Sequence, residues 1–499
     1  MTASGPSVAL RARALVAALV AVLVWAFATV APAASAKTAA KSTTTTVATA
    51  AKVPTKWDPR LQPIADKVAE LRKLEFEHPV AAEFLDDAAF EKKVTSDRGK
   101  LSAQDKRDLE RSQAQLRAVG LIGADIDLFD AVGSLQTSGV LAYYDPKTKR
   151  ITVKGTSLDD VSTRVTVAHE LTHALQDQHF DLEKLEKAAE ADHGSTVLHT
   201  IAEGDAVRIE DDYVKTLSDA DQQAYTTQNA QISQQAQTEI TAKGVPDSLS
   251  VVFQAPYVLG PSMLDAVIAK EQDKGVDALF EHPPTADAAF VTPSTLVDHR
   301  TFQTVPTPKL QAGERRVGKP DVFGALSLFQ VLSSRVDNAT ALSAADAWDG
   351  DAMITFTRND QTCLRATFAG RGTAGTPTIT DALQQWATQM PGGSATVEGA
   401  GDRVTLTACD PGSAATAIPN QPLASLVYVA SRDGLFSELL KSGFTTQEAT
   451  CSADTVVRDP VFAPVIEAAG NDPSAEPDPA LVTAVQQRVR EIVAGCRQT

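Results

Sequence analysis

Apolar residues recur at helical spacing in IADKVAELRKL (64–74), and the pattern stops at Pro79. PVAAEFL (79–85) has the length and texture of a strand, and DDAAFEKKV (86–94) returns to helical spacing. LSAQDKRDLERSQAQLRAV (101–119) predicts a strongly charged amphipathic helix ended by Gly120. GVLAYYD (139–145) and RITVKG (150–155) are β-rich runs on either side of Pro146-Lys147-Thr148-Lys149, the pattern of a hairpin. A long helix is expected after Asp159 and Asp160, either of which can cap it, running through VSTRVTVAHELTHALQDQ. Helical spacing continues over 196–216, over a Gln-rich 219–240, over 262–280 and over an apolar 322–336.

Beyond about residue 340 the texture changes. ITFTR, CLRATFAG and VTLTAC read as strands and DALQQWATQM as a helix, with further helices near 423–442 and 479–494. All four cysteines fall here: Cys363, Cys409, Cys451 and Cys496. Three pairings are open to four cysteines. Cys363–Cys409 and Cys451–Cys496 are favoured because each pair brackets one compact stretch. Ligation of zinc by the four is disfavoured, since the chain has no C-x-x-C.

The N-terminus carries Arg11 and Arg13, an apolar run from Ala14 to Val30, and small residues Ala34 and Ala36 in an A-x-A arrangement. This reads as a secretory signal over 1–36, cleaved after Ala36. An uncleaved membrane anchor is the alternative, because a run of 17 apolar residues is just at the lower length for a span. Residues 37–56 begin with a Thr/Ala/Ser/Lys stretch that cannot bury a core and read as a linker. The expected order is therefore signal or anchor (1–36), linker (37–56), one α+β catalytic domain (57–340) and a disulfide-bearing α+β module (341–499).

Composition sharpens this only slightly. The 499 residues are 43% apolar and 22% charged, ordinary for a globular protein. The net charge of −17, which becomes −19 once 1–36 is removed with its two arginines, argues against a nucleic-acid binder. The bulk of the protein is expected outside the cytoplasm, secreted or in the cell envelope. Contact with a membrane is expected only through the N-terminal anchor, and no oligomeric state is legible.

The chemistry lies in His169-Glu170-Leu171-Thr172-His173, an H-E-x-x-H. Residues four apart on a helix differ by only ~40° in direction, so both imidazoles face one way and can take two sites on one Zn²⁺. Glu170 stands beside the first ligand, where a carboxylate can remove a proton from water whose pKa zinc lowers toward ~7. This is the metalloprotease arrangement.

A third ligand must come from elsewhere. His179 has the metzincin spacing, six residues after His173, but Gln176 stands where that pattern needs a glycine. If the helix continues, His179 lies ~15 Å along the axis from His169. Glu203, on a following helix 30 residues beyond His173, is in the order expected of a gluzincin and is preferred. It would complete a His₂Glu set with a fourth position open for water. His193, His199 and a nearby acid are the remaining alternatives.

HELTHALQDQHF followed by AEGDA resembles a group of bacterial exported zinc metallopeptidases of gluzincin type, mostly uncharacterised. The likeness covers about residues 60–360. PVAAEFL is similar to the family's first strand and GVLAYYDPKTKRITV to the hairpin that lines the substrate cleft in zincins. FQAPYVLGPSML (253–264) and AWDGDAMITF (347–356) are similar to two further family segments. HPPTADAAFVTP (282–293) departs from the family's Pro-Pro-Thr-Ser-Thr-Glu run at Ala286, Asp287 and Ala288.

The resemblance implies a zincin-like fold, with a small mixed sheet over the active-site helix. It implies zinc on His169, His173 and Glu203, with Glu170 as general base and acid. An electrophile for the oxyanion would come from Tyr143, Tyr144, Tyr213, Tyr257 or His282. Asp205 is a candidate for hydrogen bonding a ligating imidazole. The expected activity is hydrolysis of peptide bonds in a peptide or protein substrate. The alternatives are a cell-envelope binding protein whose zinc site is structural or vestigial, and a hydrolase of a non-peptide amide.

Overall fold

The computed structural model describes residues 53–95, 102–191, 194–416, 422–465 and 479–497. The export segment (1–36), the linker before residue 53 and His193 lie outside them. The first half of the chain runs α1 (Gln62–Arg72), β1 (Ala81–Leu85), α2 (Asp87–Thr95), α3 (Ala103–Ala118), α4 (Leu128–Thr137), β2 (Ala142–Asp145) and β3 (Arg150–Lys154). It continues through α5 (Val161–Phe180), α6 (Leu182–Ala191), α7 (Ser195–Thr216), α8 (Asp219–Ala242), α9 (Asp247–Glu271), α10 (Asp273–Glu281) and α11 (Ser294–Val297).

The architecture is α+β. β1 and β2 both pair with β3, the first parallel and the second antiparallel, giving a three-stranded mixed sheet in the order β1-β3-β2. The turn between β2 and β3 is the expected one at 146–149, with Lys149 in the left-handed region (φ 54°). The sheet packs on α1 and α5 through Ile64, Val68, Ile151, Val153, Val165 and Leu171, all buried. Parallel pairing of β1 needs a long crossover, and α2, α3 and α4 lie within it.

α5 is buried on nearly every side from Val161 to Asp177, which places it in the middle of the body. Asp160 caps it, its carboxylate accepting from the Thr163 N–H at 2.9 Å. The helix continues past His173 and ends at Asp181 in a left-handed conformation.

α9 differs from the expected helix over 262–280. It starts at Asp247, carries Pro256 and Pro261 in its interior, and ends at Glu271, where α10 takes over. Interior prolines cost ~3 kcal/mol each in an isolated helix. Here α9 is buried along most of its length, and it packs against α7 at closest range where Gly204 faces Gly260. A Cβ on Gly204 would lie 2.6 Å from the Gly260 carbonyl carbon, so only glycines allow this crossing.

The second half adds β4 (Arg315–Asp321), α12 (Ala325–Ser333), α13 (Asn338–Ala347), β5 (Trp348–Arg358), β6 (Gln361–Gly370) and α14 (Gly372–Ala387). β7 (Ala395–Ala400), β8 (Arg403–Cys409), α15 (Pro422–Lys441), α16 (Thr446–Arg458) and α17 (Pro479–Cys496) follow. The second sheet is antiparallel, in the order β4-β5-β6-β8-β7, and its edge strand β4 comes from before residue 340. Periodicity misses β4 because it is largely exposed and carries Gly318 and Pro320, which suit an edge strand. One core joins α7 and α9 to α12, α13, this sheet, α14 and α15. The disulfides are Cys363–Cys409, between directly paired positions of β6 and β8, and Cys451–Cys496, between α16 and α17. Asp287 is half-buried and accepts from the Ala325 and Leu326 N–H groups at the start of α12.

Candidate metal centre

Two helices converge on one buried point. α5 supplies His169 and His173, and α7 crosses it to supply Glu203. The Nε2 atoms of the two imidazoles are 3.0 Å apart, and Glu203 Oε2 lies 3.3 Å from His169 Nε2 and 3.4 Å from His173 Nε2. These three residues could hold a metal ion. His169 and Glu203 have no exposed surface and His173 has 1%.

Hydrogen bonding around the rings decides what they present to that point. His169 Nδ1 is 2.9 Å from Glu210 Oε2, an acceptor that a second bond, from Tyr225 Oη at 2.8 Å, marks as a carboxylate held in place. His173 Nδ1 is 3.1 Å from Gln176 Oε1. Both Nδ1 atoms therefore carry the proton in the neutral ring, and both Nε2 atoms present bare lone pairs. With both rings neutral, two lone pairs and a carboxylate oxygen would meet at one point. Such a set fits a cation.

The electrostatics agree. Burial works to lower the pKa of His169, but Glu203 and Glu210 outweigh it and raise it to about 10. Burial works to raise Glu203, but His173 and His169 hold it well below the usual carboxylate range. A proton on the ring and a metal ion between the ligands answer the same excess of lone pairs. Glu203 Oε1 accepts no hydrogen bond, although it is buried; His199 Nδ1 lies 3.7 Å from it.

Glu170 is 2% exposed. Its Oε2 accepts from the Tyr144 N–H of β2 at 2.7 Å, and its Oε1 accepts nothing. Burial pushes its pKa up to about 7, with His169 and His173 pulling the other way and Glu203 adding to the rise.

The other residues singled out in the sequence separate into groups. His179, on the last turn of α5, has Nε2 2.8 Å from the Glu75 carbonyl and stands outside the cluster. Asp205 touches neither imidazole. It accepts from Gln176, Arg72 and Arg208 instead. Among the aromatic candidates, the Tyr144 hydroxyl donates to Asp177 at 2.5 Å. Tyr143 sets its ring edge toward Phe90 and Tyr213 packs in the core of the first sheet. His282 terminates α10. Tyr257 alone of these has a buried hydroxyl beside the cluster, next to the Glu203 carboxylate. Burial raises the pKa of Tyr257 well above its usual value, and the nearby charges of Glu203 and Glu170 raise it further. Its ring stands edge-on to His199 at 6.2 Å.

The contacts of Glu210 and Gln176 with the two imidazoles are missed by the sequence analysis, although both follow a residue of the cluster at helical spacing. Glu210 is two turns after Glu203 and Gln176 one turn after His173. No family model matches the chain, and no curated protein or solved structure matches it either.

Proposed function

We propose that this chain is an exported zinc-dependent peptidase of gluzincin type. The observation that carries the reading is the meeting of two imidazole Nε2 atoms and a carboxylate beside Glu170, in a buried site. His169, His173 and Glu203 would hold the ion, and two imidazoles with one carboxylate suit zinc. When bound, zinc supplies Lewis acidity, polarising a carbonyl and lowering the pKa of water toward ~7.

The chain's own residues supply the rest. Tyr144 anchors one oxygen of Glu170 and leaves the other bare. A carboxylate placed there can take a proton from water and return it to a leaving amine. The Tyr257 hydroxyl offers a donor for charge developing on the carbonyl oxygen. β2 is an edge strand whose Tyr144 N–H reaches Glu170, so an extended peptide laid along this edge would lie beside the cluster. The N-terminal apolar run and the A-x-A at 34–36 support export, and so do the two disulfides, which persist in oxidising compartments.

The test is Glu170→Gln in the full chain. Zinc content stays at one per chain, while cleavage of a peptide library falls by roughly 10²–10⁴. Cleavage at the wild-type rate overturns the mechanism. Burial of all four side chains favours a second reading, a cell-envelope binding protein with a structural zinc site. Stoichiometric zinc in a wild-type protein that cleaves no peptide would support it.

A further inference from the structure

We infer that Arg72 and Asp205 are positioning residues for the metal centre, acting through Gln176 to fix the ring of His173. This rests on reading the His169, His173 and Glu203 cluster as a metal site.

The chain of contacts is continuous and buried. Gln176 Oε1 faces His173 Nδ1 at 3.1 Å. An amide can present either end to a ring, and here the opposite end decides. Gln176 Nε2 lies 3.0 Å from the Ala202 carbonyl and 3.0 Å from Asp205 Oδ2. Both are acceptors only, so the NH₂ group must face them and the oxygen must face His173. That sets the proton on Nδ1 and leaves Nε2 for the metal. With Asp205 gone, one of the two acceptors that impose this orientation is lost.

Asp205 is held in turn. Its Oδ2 accepts from Arg72 Nε at 2.8 Å and its Oδ1 from Arg208 at 2.9 Å. Arg72 is the last residue of α1, is 1% exposed, and makes a second bond to Asp277 at 2.7 Å. A buried ion pair adds little to stability compared with apolar side chains of the same size. Its distinctive contribution at this place is orientation, because it hands a fixed acceptor to Gln176.

α1 lies about a hundred residues before the H-E-x-x-H, yet it reaches the site through this relay. β1 follows it and pairs in parallel with β3. The segment from α1 to β1 is thus built into the centre, and its removal would leave Asp205 without Arg72.

The experiment measures zinc affinity by chelator competition, with urea stability of the metal-free protein alongside. The proteins are wild type, Gln176→Leu, Asp205→Asn and the double variant, all as full chains. Gln176→Leu is expected to bind zinc 10–100-fold more weakly. Asp205→Asn is expected to weaken it at least threefold, and to add nothing in the Gln176→Leu background. An Asp205→Asn effect that persists undiminished in that background would mean action by another route and overturns the inference. So would an Asp205→Asn protein that loses stability but binds zinc as wild type does. If Asp205→Asn does not fold, Arg72→Lys, which keeps the charge, is read in the same two backgrounds with the same criteria. A folded wild-type protein that takes up no zinc overturns the metal reading itself.

Discussion

Glu210 Oε2 lies 2.9 Å from Nδ1 of His169, and Glu203, seven residues earlier on the same helix, lies 3.3 Å from the other nitrogen of that ring. One face of α7 therefore grips His169 at both nitrogens. Glu203 faces the point where lone pairs collect, and Glu210 sets which nitrogen keeps its proton. Glu210→Leu is expected to keep the fold and lower zinc affinity by 10–100-fold. Glu210→Gln keeps an acceptor and should lose less. Chelator competition on the two variants checks the order.

The third ligand separates the zincin branches. Glu203→Ala should lose bound zinc after dialysis, while His179→Ala should retain one per chain, because His179 faces the Glu75 carbonyl away from the cluster. Metal analysis of the two proteins decides it. The reverse result would move the ligand set onto α5 alone.

The contact between Gly204 and Gly260 ties the ligand helix to the helix that carries Tyr257. A methyl group at either position would meet backbone atoms at 2.6–2.7 Å, and backbone cannot rotate away. Gly260→Ala is expected to cost about 1–3 kcal/mol and to push α9 outward. Urea unfolding gives the first quantity. Peptide cleavage should fall more than zinc content, because the displaced residue is Tyr257 rather than a ligand.

Four successive N–H groups before and within the first turn of α12, from Phe323 to Leu326, are taken by two carboxylates, Asp351 and Asp287. Burial pushes Asp287 up to about 7; the Ala325 N–H opposes this and Asp351 adds to it. A carboxyl whose folded pKa exceeds its unfolded one holds more protons in the folded state between the two values. Stability therefore falls as pH rises from about 4 to about 7, with a slope of up to about 1.4 kcal/mol per pH unit, and levels off above that. The stability gap between wild type and Asp287→Asn should drift in this sense over pH 4–7 and be constant above 8. A gap that does not vary with pH would place Asp287 in the ordinary carboxylate range.

Asp287 also shows what an acid at this place accomplishes in this chain. Standing at 287, between Ala286 and Ala288, it caps a helix that begins 38 residues later in the chain. Nothing local to HPPTADAAFVTP announces that, since its partners are backbone groups of a distant segment.

The sequence by itself determined whatever depends on neighbours within a few residues. The hairpin around 146–149 and the cap at Asp160 follow from local turn and capping chemistry. So does the common facing of His169 and His173, which the 3.6-residue repeat imposes. Helix continuation through Gln176 likewise removed His179, as its spacing predicts. The order of the chain pointed to Glu203, and bracketing of compact stretches pointed to both disulfides.

Only the tertiary structure decided the rest. Tyr257 reaches the centre because two glycines let α7 and α9 touch, and the helix holding it crosses two prolines that local propensity rejects. Asp205, on a different face from Glu203, serves His173 through a glutamine rather than directly. Arg72 joins from a helix whose own pattern says only that one side is apolar. The physical reason is common to all three: a helix repeat specifies which side chains share a face, whereas the identity of the facing atoms is set by packing between segments far apart in the chain.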